Sequence, residues 1–252
     1  MHNRHWLKKF KTIGLILALG VNMSAEASFL GFGGTSWKEE ALLHDGSKII
    51  VTRSVEHGGR HELGQEPPYK EQSLTFTLPG TNQTIKWKDH YSDDIGSSSF
   101  MPLAVDIAKG TPYLVADTMG CLSYNKWGRP NPPYVVFKYD GKEWQRIPLS
   151  ELPDEIKRPN LIFSMPDIEM EKLGKSFVNA QMIQQINNSG RIKQSEHLTI
   201  LREPMKKAEF GSSLSCPELV RIKGGWASPG GSKAPGGPFL ISPKPLSDKN
   251  SN

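Results

Sequence analysis

The chain has 252 residues, of which 37% are hydrophobic and 23% charged, a composition that suits a folded domain with its own core. The formal net charge of +5 comes from the two ends, because residues 28–220 carry 22 basic and 24 acidic side chains. A central region of nearly balanced charge lacks the basic surface that nucleic acids attract, so no nucleic-acid partner is predicted.

The N-terminal segment has the pattern of a secretory signal peptide. A basic start that includes Arg4 is followed by the apolar run from Ile13 to Val21 and by small residues at Ala25 and Ala27. The apolar run is much shorter than the ~20 residues that span a bilayer as a helix. We therefore predict cleavage of residues 1–27, a periplasmic or secreted location and no membrane span in the mature form. A short amphipathic or buried helix is the alternative.

Four hairpin signals follow the leader. Turn-forming dipeptides separate apolar or alternating runs at Asp45-Gly46, Pro79-Gly80, Lys109-Gly110 and Asp140-Gly141. This pattern predicts a mainly β fold, built from antiparallel hairpins as a sandwich or an open barrel. The regular spacing of the turns keeps an incomplete propeller-like arrangement as the alternative, although the chain is short for four full blades.

The fourth hairpin allows a prediction of its register. If Asp140-Gly141 is a two-residue turn, Phe137 faces Trp144 on one side of the hairpin and Lys138 faces Glu143 on the other. An aromatic pair in this position is expected to pack within the sheet and not to bind a ligand.

The C-terminal half changes character after Pro166. Asp167 and Asn179 are predicted as N-caps of two short helices at about 167–188, the first ending at Gly174. The runs HLTILRE and ELVRIKG are predicted as short strands that return to the sheet.

The domain limits follow from composition. Residues 28–223 are predicted to form a single β-rich domain. The segment 224–252 is rich in glycine and proline and predicts a disordered C-terminal tail.

Cys121 and Cys216 are the two cysteines of the chain. An exported protein meets an oxidising compartment, so we predict a disulfide between them. Two unpaired buried thiols are the alternative. Neither cysteine lies in a CxxC pair, so the pattern supports neither redox catalysis nor zinc binding.

Two polar stretches raise the question of a metal site. His57, His61 and Glu62 lie in VEHGGRHELGQE, where the two central glycines favour a polar loop over the helix that a His-x-x-x-His pair needs. Asp93 and Asp94, with His90 close by, suit an Asx-rich turn, and the spacing of an EF-hand is not present.

No sequence motif predicts catalysis. GxSxG, P-loop and HExxH patterns do not occur, and GFGGTS at 31–36 is predicted to be a flexible mature N-terminus and not a phosphate loop. We therefore predict no catalytic residue, cofactor or metal.

The stretch SYNKWGRPNPPY is predicted to be a proline-stiffened loop at 122–134. Tyr124, Trp127 and Arg129 are of the residue types that dominate binding hot spots, so they are the predicted ligand-binding residues. The alternative is that Trp127 folds back onto the sheet as a lid.

Three runs carry a resemblance to a family: LLHDGSKIIVTRS, LTFTLPGTNQTIKW and CLSYNKWGRPNPPYVVFKYDGKEWQRIP. Across residues 36–205 the chain resembles a group of exported proteins of Gram-negative bacteria for which no function is established. The resemblance implies export and a β-rich fold, and it brings no catalytic residues.

The sequence as a whole predicts an exported, non-catalytic β-rich binding module that recognises a glycan or an envelope protein through the 122–134 loop. A metal-dependent hydrolase using His57, His61, Glu62 and Asp94 is one alternative. A structural component of the envelope is another.

Overall fold

The computed structural model of the protein describes residues 34–189, 194–208 and 211–229. The eleven strands of these residues are β1 (Thr35–Leu42), β2 (Lys48–His57), β3 (Tyr69–Thr77), β4 (Thr84–Asp89), β5 (Phe100–Ala108), β6 (Thr111–Thr118), β7 (Tyr134–Tyr139), β8 (Trp144–Ile147), β9 (Phe177–Val178), β10 (Val220–Ile222) and β11 (Gly225–Ala227). The helices are α1 (Gly120–Lys126), α2 (Pro166–Leu173), α3 (Ala180–Ser189) and α4 (Ser195–Leu198). The protein is thus mainly β, as predicted.

Two sheets account for most of the strands. The first has the order β4-β3-β2-β1-β9, and the second has the order β5-β6-β7-β8. All neighbours are antiparallel except β9, which pairs in parallel with β1. Strands β1–β4 form one meander and β5–β8 form another, because strands that are neighbours in the chain pair with each other. The turn at Lys109-Gly110 has positive φ at both residues, as a type I′ turn requires.

The two sheets pack face to face and enclose the main core. Alternating side chains of the first sheet, among them Phe76 and Trp87, meet those of the second sheet, among them Phe100 and Phe137. The Trp87 ring lies 6.1 Å from that of Phe100 and 5.9 Å from that of Phe137. The architecture is therefore the predicted sandwich with short helices, and the strands of the described residues form neither a closed barrel nor a propeller.

Both faces of the second sheet are covered. Its far face, with Tyr113 and Val136, packs against the irregular segment that follows β8, including Ile156 and Phe163. Sheets with two buried faces have nearly continuous apolar strands, and β6 and β7 show this pattern.

Helices α2 and α3 cover the remaining part of the first sheet. Trp37 and Val55 of the sheet meet Met170 of α2 and Ile183 of α3. Asn179 caps α3 as predicted, because its Oδ1 accepts a hydrogen bond from the Met182 backbone 2.9 Å away. The predicted N-cap role of Asp167 is wrong, since α2 begins at Pro166 and the Asp167 side chain bonds to other parts of the protein.

A buried ion pair lies beneath these helices. Arg53 and Glu39 are 2% and 0% exposed, and Arg53 Nη1 lies 3.0 Å from Glu39 Oε1. Trp37 Nε1 and the backbone N–H of Ile162 also donate to the Glu39 carboxylate. Because these hydrogen bonds compensate for the loss of water, both charges can be buried.

The C-terminal segment differs from the prediction in three respects. HLTILRE contributes to helix α4 and not to a strand. Strand β10 does form, but it pairs with β11 in a separate hairpin and does not return to either sheet. β11 also lies inside the segment predicted to be disordered, so the ordered chain extends at least to residue 229.

Other predictions fall outside the described residues, among them the leader at 1–27 and the tail from residue 230. At the N-terminal end, Thr35 and Ser36 belong to β1 and are not part of a flexible terminus. None of the helices among the described residues has the length and apolarity needed to span a membrane.

Candidate functional site

The first half of the predicted binding loop is a helix. Residues Gly120–Lys126 form α1, Trp127 is its C-cap, and Gly128 follows with a φ of +87°. The Arg129 backbone N–H bonds to Tyr124 O at 2.9 Å, which is the closing bond of a Schellman motif. The prediction of an irregular loop throughout 122–134 is therefore wrong. The glycine and the prolines of this stretch follow α1 and terminate it.

Two of the three predicted ligand-binding residues form internal contacts. Tyr124 is 3% exposed, and burial raises the pKa of its hydroxyl against the opposing charge of Arg129. The Arg129 guanidinium stacks on Tyr124 at 4.9 Å and donates to the carbonyls of Cys216 and Pro217. Arg129 thus ties the C-terminal segment to α1.

Trp127 packs on the sandwich, as the alternative interpretation held. Its ring lies 4.7 Å from that of Phe100, and the Arg146 guanidinium stacks on the indole at 5.4 Å. Trp127 Nε1 is buried without a hydrogen-bond partner among the described residues. The ring therefore serves packing and not polar recognition.

The predicted disulfide is present and lies next to this helix. Cys121 and Cys216 are joined, with their Cα atoms 5.3 Å apart. Asn125 reinforces the connection, because its amide donates to Pro217 O and accepts from the Leu219 backbone.

The register of the fourth hairpin differs from the prediction. Trp144 lies opposite Tyr139, 5.5 Å between rings, and Phe137 lies opposite Arg146. The reason is the side chain of Asp140, which accepts hydrogen bonds from two following backbone N–H groups and stabilises a four-residue turn. The predicted Phe137–Trp144 pair does not form.

A groove of about 350 Å³ lies beside the second half of the predicted loop. It is lined by Pro130, Asn131, Pro132, Tyr134, Val135, Arg146, Ile147, Pro148 and Leu149. The segment at 130–132 forms one wall, and the end of β8 with the residues that follow it forms the other. The groove therefore lies where β7 begins and β8 ends.

The walls of the groove are held in place by hydrogen bonds. The Asn131 side chain bonds to both the N–H and the carbonyl of Met205, at 2.7 and 3.0 Å. Arg146 donates to the carbonyl of Trp127 at 3.0 Å while it stacks on the indole. The Tyr134 hydroxyl bonds to the carbonyls of Glu196 and Thr199, so this ring is a fixed part of the floor.

The residues of the predicted metal region are separated by their own contacts. His57 bonds to Asp167, whereas His61 Nδ1 lies 2.7 Å from the carbonyl of Gly59. Gly59 permits this conformation, because a Cβ at this position would lie 2.7 Å from Gly96 O. Among residues 34–189, 194–208 and 211–229, no three His, Cys, Asp or Glu side chains are grouped to hold a metal ion.

Asp94 forms ion pairs on the surface. It lies 2.9 Å from Lys126 of α1 and 2.9 Å from Arg221 of β10. Trp226 of β11 donates to its backbone carbonyl at 2.7 Å. Asp94 therefore fixes the small C-terminal hairpin, and its neighbour Asp93 is exposed to solvent.

Comparison of the chain with protein-family models, with curated proteins and with solved structures finds no match.

Proposed function

We propose that this protein is exported and acts as a non-catalytic binding module, which takes an extended segment of an envelope protein into the groove beside β8. The observation that carries the proposal is the groove itself, whose walls are stiffened by prolines and by the bonds of Asn131 and Arg146. A stiff site loses little conformational entropy when it binds.

The position of the groove favours an extended peptide. β8 is the last strand of the second sheet, and none of the described residues pairs with its outer edge. An exposed strand edge next to pockets is the arrangement that proteins use to bind peptides by strand addition. Backbone hydrogen bonds to β8 would then supply affinity, and side chains in the groove would supply selectivity.

The lining favours a protein over a glycan. Tyr134 is the aromatic residue of the groove, and it is 4% exposed, so it offers no free ring face for a sugar to stack on. Prolines, Ile147 and Leu149 offer apolar surface instead.

Peptide selection tests the binding function. Random peptides displayed on phage are selected on the immobilised protein, and enriched peptides are measured by fluorescence anisotropy. We expect Arg146→Ala to weaken binding about tenfold or more, because a stacked arginine is a frequent hot spot. Lys142→Ala, in the exposed turn of the same hairpin, is the matched control and should leave affinity unchanged. The proposal is contradicted if no peptide is enriched, or if Arg146→Ala binds the enriched peptides as tightly as the unmodified protein does.

The disulfide supports the export part of the proposal, because such bonds persist in oxidising compartments. N-terminal sequencing of protein recovered from the periplasm or medium should begin at Ser28. Recovery of the uncleaved chain from the cytoplasm, with free thiols at Cys121 and Cys216, would refute it.

A further inference from the structure

A histidine and an aspartate form a second polar site, on the side of the sandwich where β1 turns into β2. His44 Nδ1 lies 2.7 Å from Asp106 Oδ1, and the His44 backbone N–H donates to Asp106 Oδ2 at 3.0 Å. The backbone N–H of Ile107 also donates to this carboxylate. Asp106 therefore accepts three hydrogen bonds from the protein itself.

The histidine is held in one orientation. The turn that carries it is closed by a bond from Leu43 N to Ser47 O, and Asp45 accepts two bonds from Ser47. The side chain of Asp106 is 6% exposed and ionised carboxylates only accept hydrogen bonds, so Nδ1 of His44 carries a proton. The other ring nitrogen, Nε2, has no hydrogen-bond partner among the described residues.

His44 and Asp106 line a cavity of about 330 Å³, which is within the size range of small-molecule sites. Asn160 forms part of the inner wall and bonds to the backbone of Leu42 and Val105. Lys157 and Arg158 line the cavity as exposed side chains, and neither forms an ion pair with a described residue.

Donors outnumber acceptors among the groups of this cavity that remain free. His44 Nε2, the Lys157 ammonium and the Arg158 guanidinium have no partner within the described chain, whereas Glu155 is the one acidic group at the rim that is not already bonded. The hydrogen bond to Asp106 raises the pKa of His44, and burial opposes this shift only in part. The charges of Asp45 and Glu155 act in the same direction as that of Asp106.

We propose that the cavity binds a small organic anion, whose carboxylate or phosphate group accepts a hydrogen bond from His44 Nε2 and is neutralised by Arg158 and Lys157. Guanidinium groups bind such oxyanions in bidentate fashion, and an imidazolium adds a charge-assisted bond. Asp106 acts as a positioning residue, because it fixes the ring orientation of His44 and stabilises the imidazolium form whose Nε2 donates to the ligand.

The ring signal of His44 in ¹H–¹³C NMR spectra of the intact protein reports this binding directly. Citrate and inorganic phosphate are titrated separately at about pH 6, where imidazolium is populated, and they distinguish a carboxylate from a phosphate ligand. We expect one of these anions to produce a saturable shift of the His44 signal, with the signal of His90 as an internal control. Absence of a saturable shift with both anions overturns the proposal.

Substitutions distinguish specific binding in the cavity from non-specific electrostatic attraction of anions to the protein. Arg158→Ala changes an exposed side chain, so folding should be retained while affinity for the bound anion falls about tenfold or more. His44→Gln removes the reporting ring, so its binding is followed by calorimetric titration, and binding should be abolished. The matched control is Lys175→Ala, a solvent-exposed lysine outside the cavity lining, which should bind as the unmodified protein does. Equal losses of affinity in Arg158→Ala and Lys175→Ala would overturn the proposal.

Discussion

His57 at the end of β2 and Asp167 in α2, which are 110 positions apart in the chain, are joined by a hydrogen bond of 2.7 Å between Nε2 and Oδ2. The other ring nitrogen of His57 lies 2.7 Å from the carbonyl of Pro67. A carbonyl only accepts hydrogen bonds, as does an ionised carboxylate, so both ring nitrogens donate and His57 is an imidazolium. One protonated ring therefore connects the 58–68 loop to helix α2.

This relationship predicts a loss of stability as the pH rises above the ordinary histidine pKa of 6.5. Burial lowers the pKa of His57, but the hydrogen bonds to Pro67 and Asp167 outweigh it and raise the pKa above the ordinary value of 6.5. The contribution of His57 is complete below 6.5 and is lost as the pH rises through the folded-state pKa. In urea unfolding, the free energy of unfolding of the unmodified protein should exceed that of His57→Gln below this window, and the difference should shrink as the pH rises through it.

The matched control for that experiment is His90→Gln, because the His90 side chain is 63% exposed. The free energy of unfolding of His90→Gln should vary with pH in the same way as that of the unmodified protein. If the difference in free energy of unfolding between the unmodified protein and His57→Gln stays constant as the pH rises above 6.5, the pKa of the ring does not change on folding.

The burial of Asp89 leads us to expect a second pH dependence of the free energy of unfolding, in the acidic range. Burial raises its pKa to about 6, although it accepts bonds from Ser99, Phe100 and Gln72 that lower it. Because the folded-state pKa is above the unfolded value, the contribution is complete below about pH 4 and is lost by about pH 6. Relative to Asp89→Asn, the protein should lose about 3 kcal/mol across this window.

The substitution suits the test because all three donors bind Oδ2, which the Asn oxygen can replace. Asp93→Asn, at an exposed position, is the control. Parallel pH profiles for the protein and Asp89→Asn would be incompatible with a raised pKa at this carboxyl.

The ion pair of Arg53 and Glu39 predicts a strongly non-additive pair of substitutions. Arg53→Met leaves a fully buried carboxylate without its counter-charge and should destabilise by about 3–5 kcal/mol in denaturant unfolding. The double variant Glu39→Gln/Arg53→Met buries no charge at this pair. Its loss of free energy of unfolding should be much smaller than the sum of the losses in the two single variants. Lys48→Met, which breaks an exposed pair with Glu40, should change stability by less than about 1 kcal/mol. Additive losses would show that the pair is not coupled.

Trp127 and Phe137 pack in the sandwich, and their truncation should show it. Phe137→Ala should destabilise by about 3–5 kcal/mol, and Trp127→Ala by about 3 kcal/mol since its ring is only partly buried. Gln145→Ala, on the exposed face of β8, is the control and should have little effect. If Trp127→Ala is as stable as Gln145→Ala, the contact with Phe100 contributes nothing and Trp127 is free to bind ligands.

The hairpins and the fold class could be predicted from the sequence because turn chemistry and alternation are local. Asn179 as a cap and Gly174 as a helix end are local signals of the same kind. Helix α1 was missed because the proline-rich segment after it dominates the pattern. The register of the fourth hairpin was missed because it depends on which bonds the Asp140 side chain forms, and this choice is not visible in composition.

The sites could be predicted only in part. Pro130 and Pro132 lie in the predicted 122–134 loop, but Arg146 and Leu149 join them through the pairing of β7 with β8. His44 and Asp106 are 62 positions apart and meet because the two sheets pack together. Neither pairing leaves a signal in a single sequence.

The bond between Cys121 and Cys216 also affects what a protease can do to the protein. A single cut at any of the 95 peptide bonds between them leaves two fragments that remain covalently joined. The exposed turn at Lys142 is one such place. A molecule nicked there keeps its apparent mass on a gel until a reductant is added, and only then separates into two pieces. Proteolysis of this region therefore opens the chain without releasing either fragment.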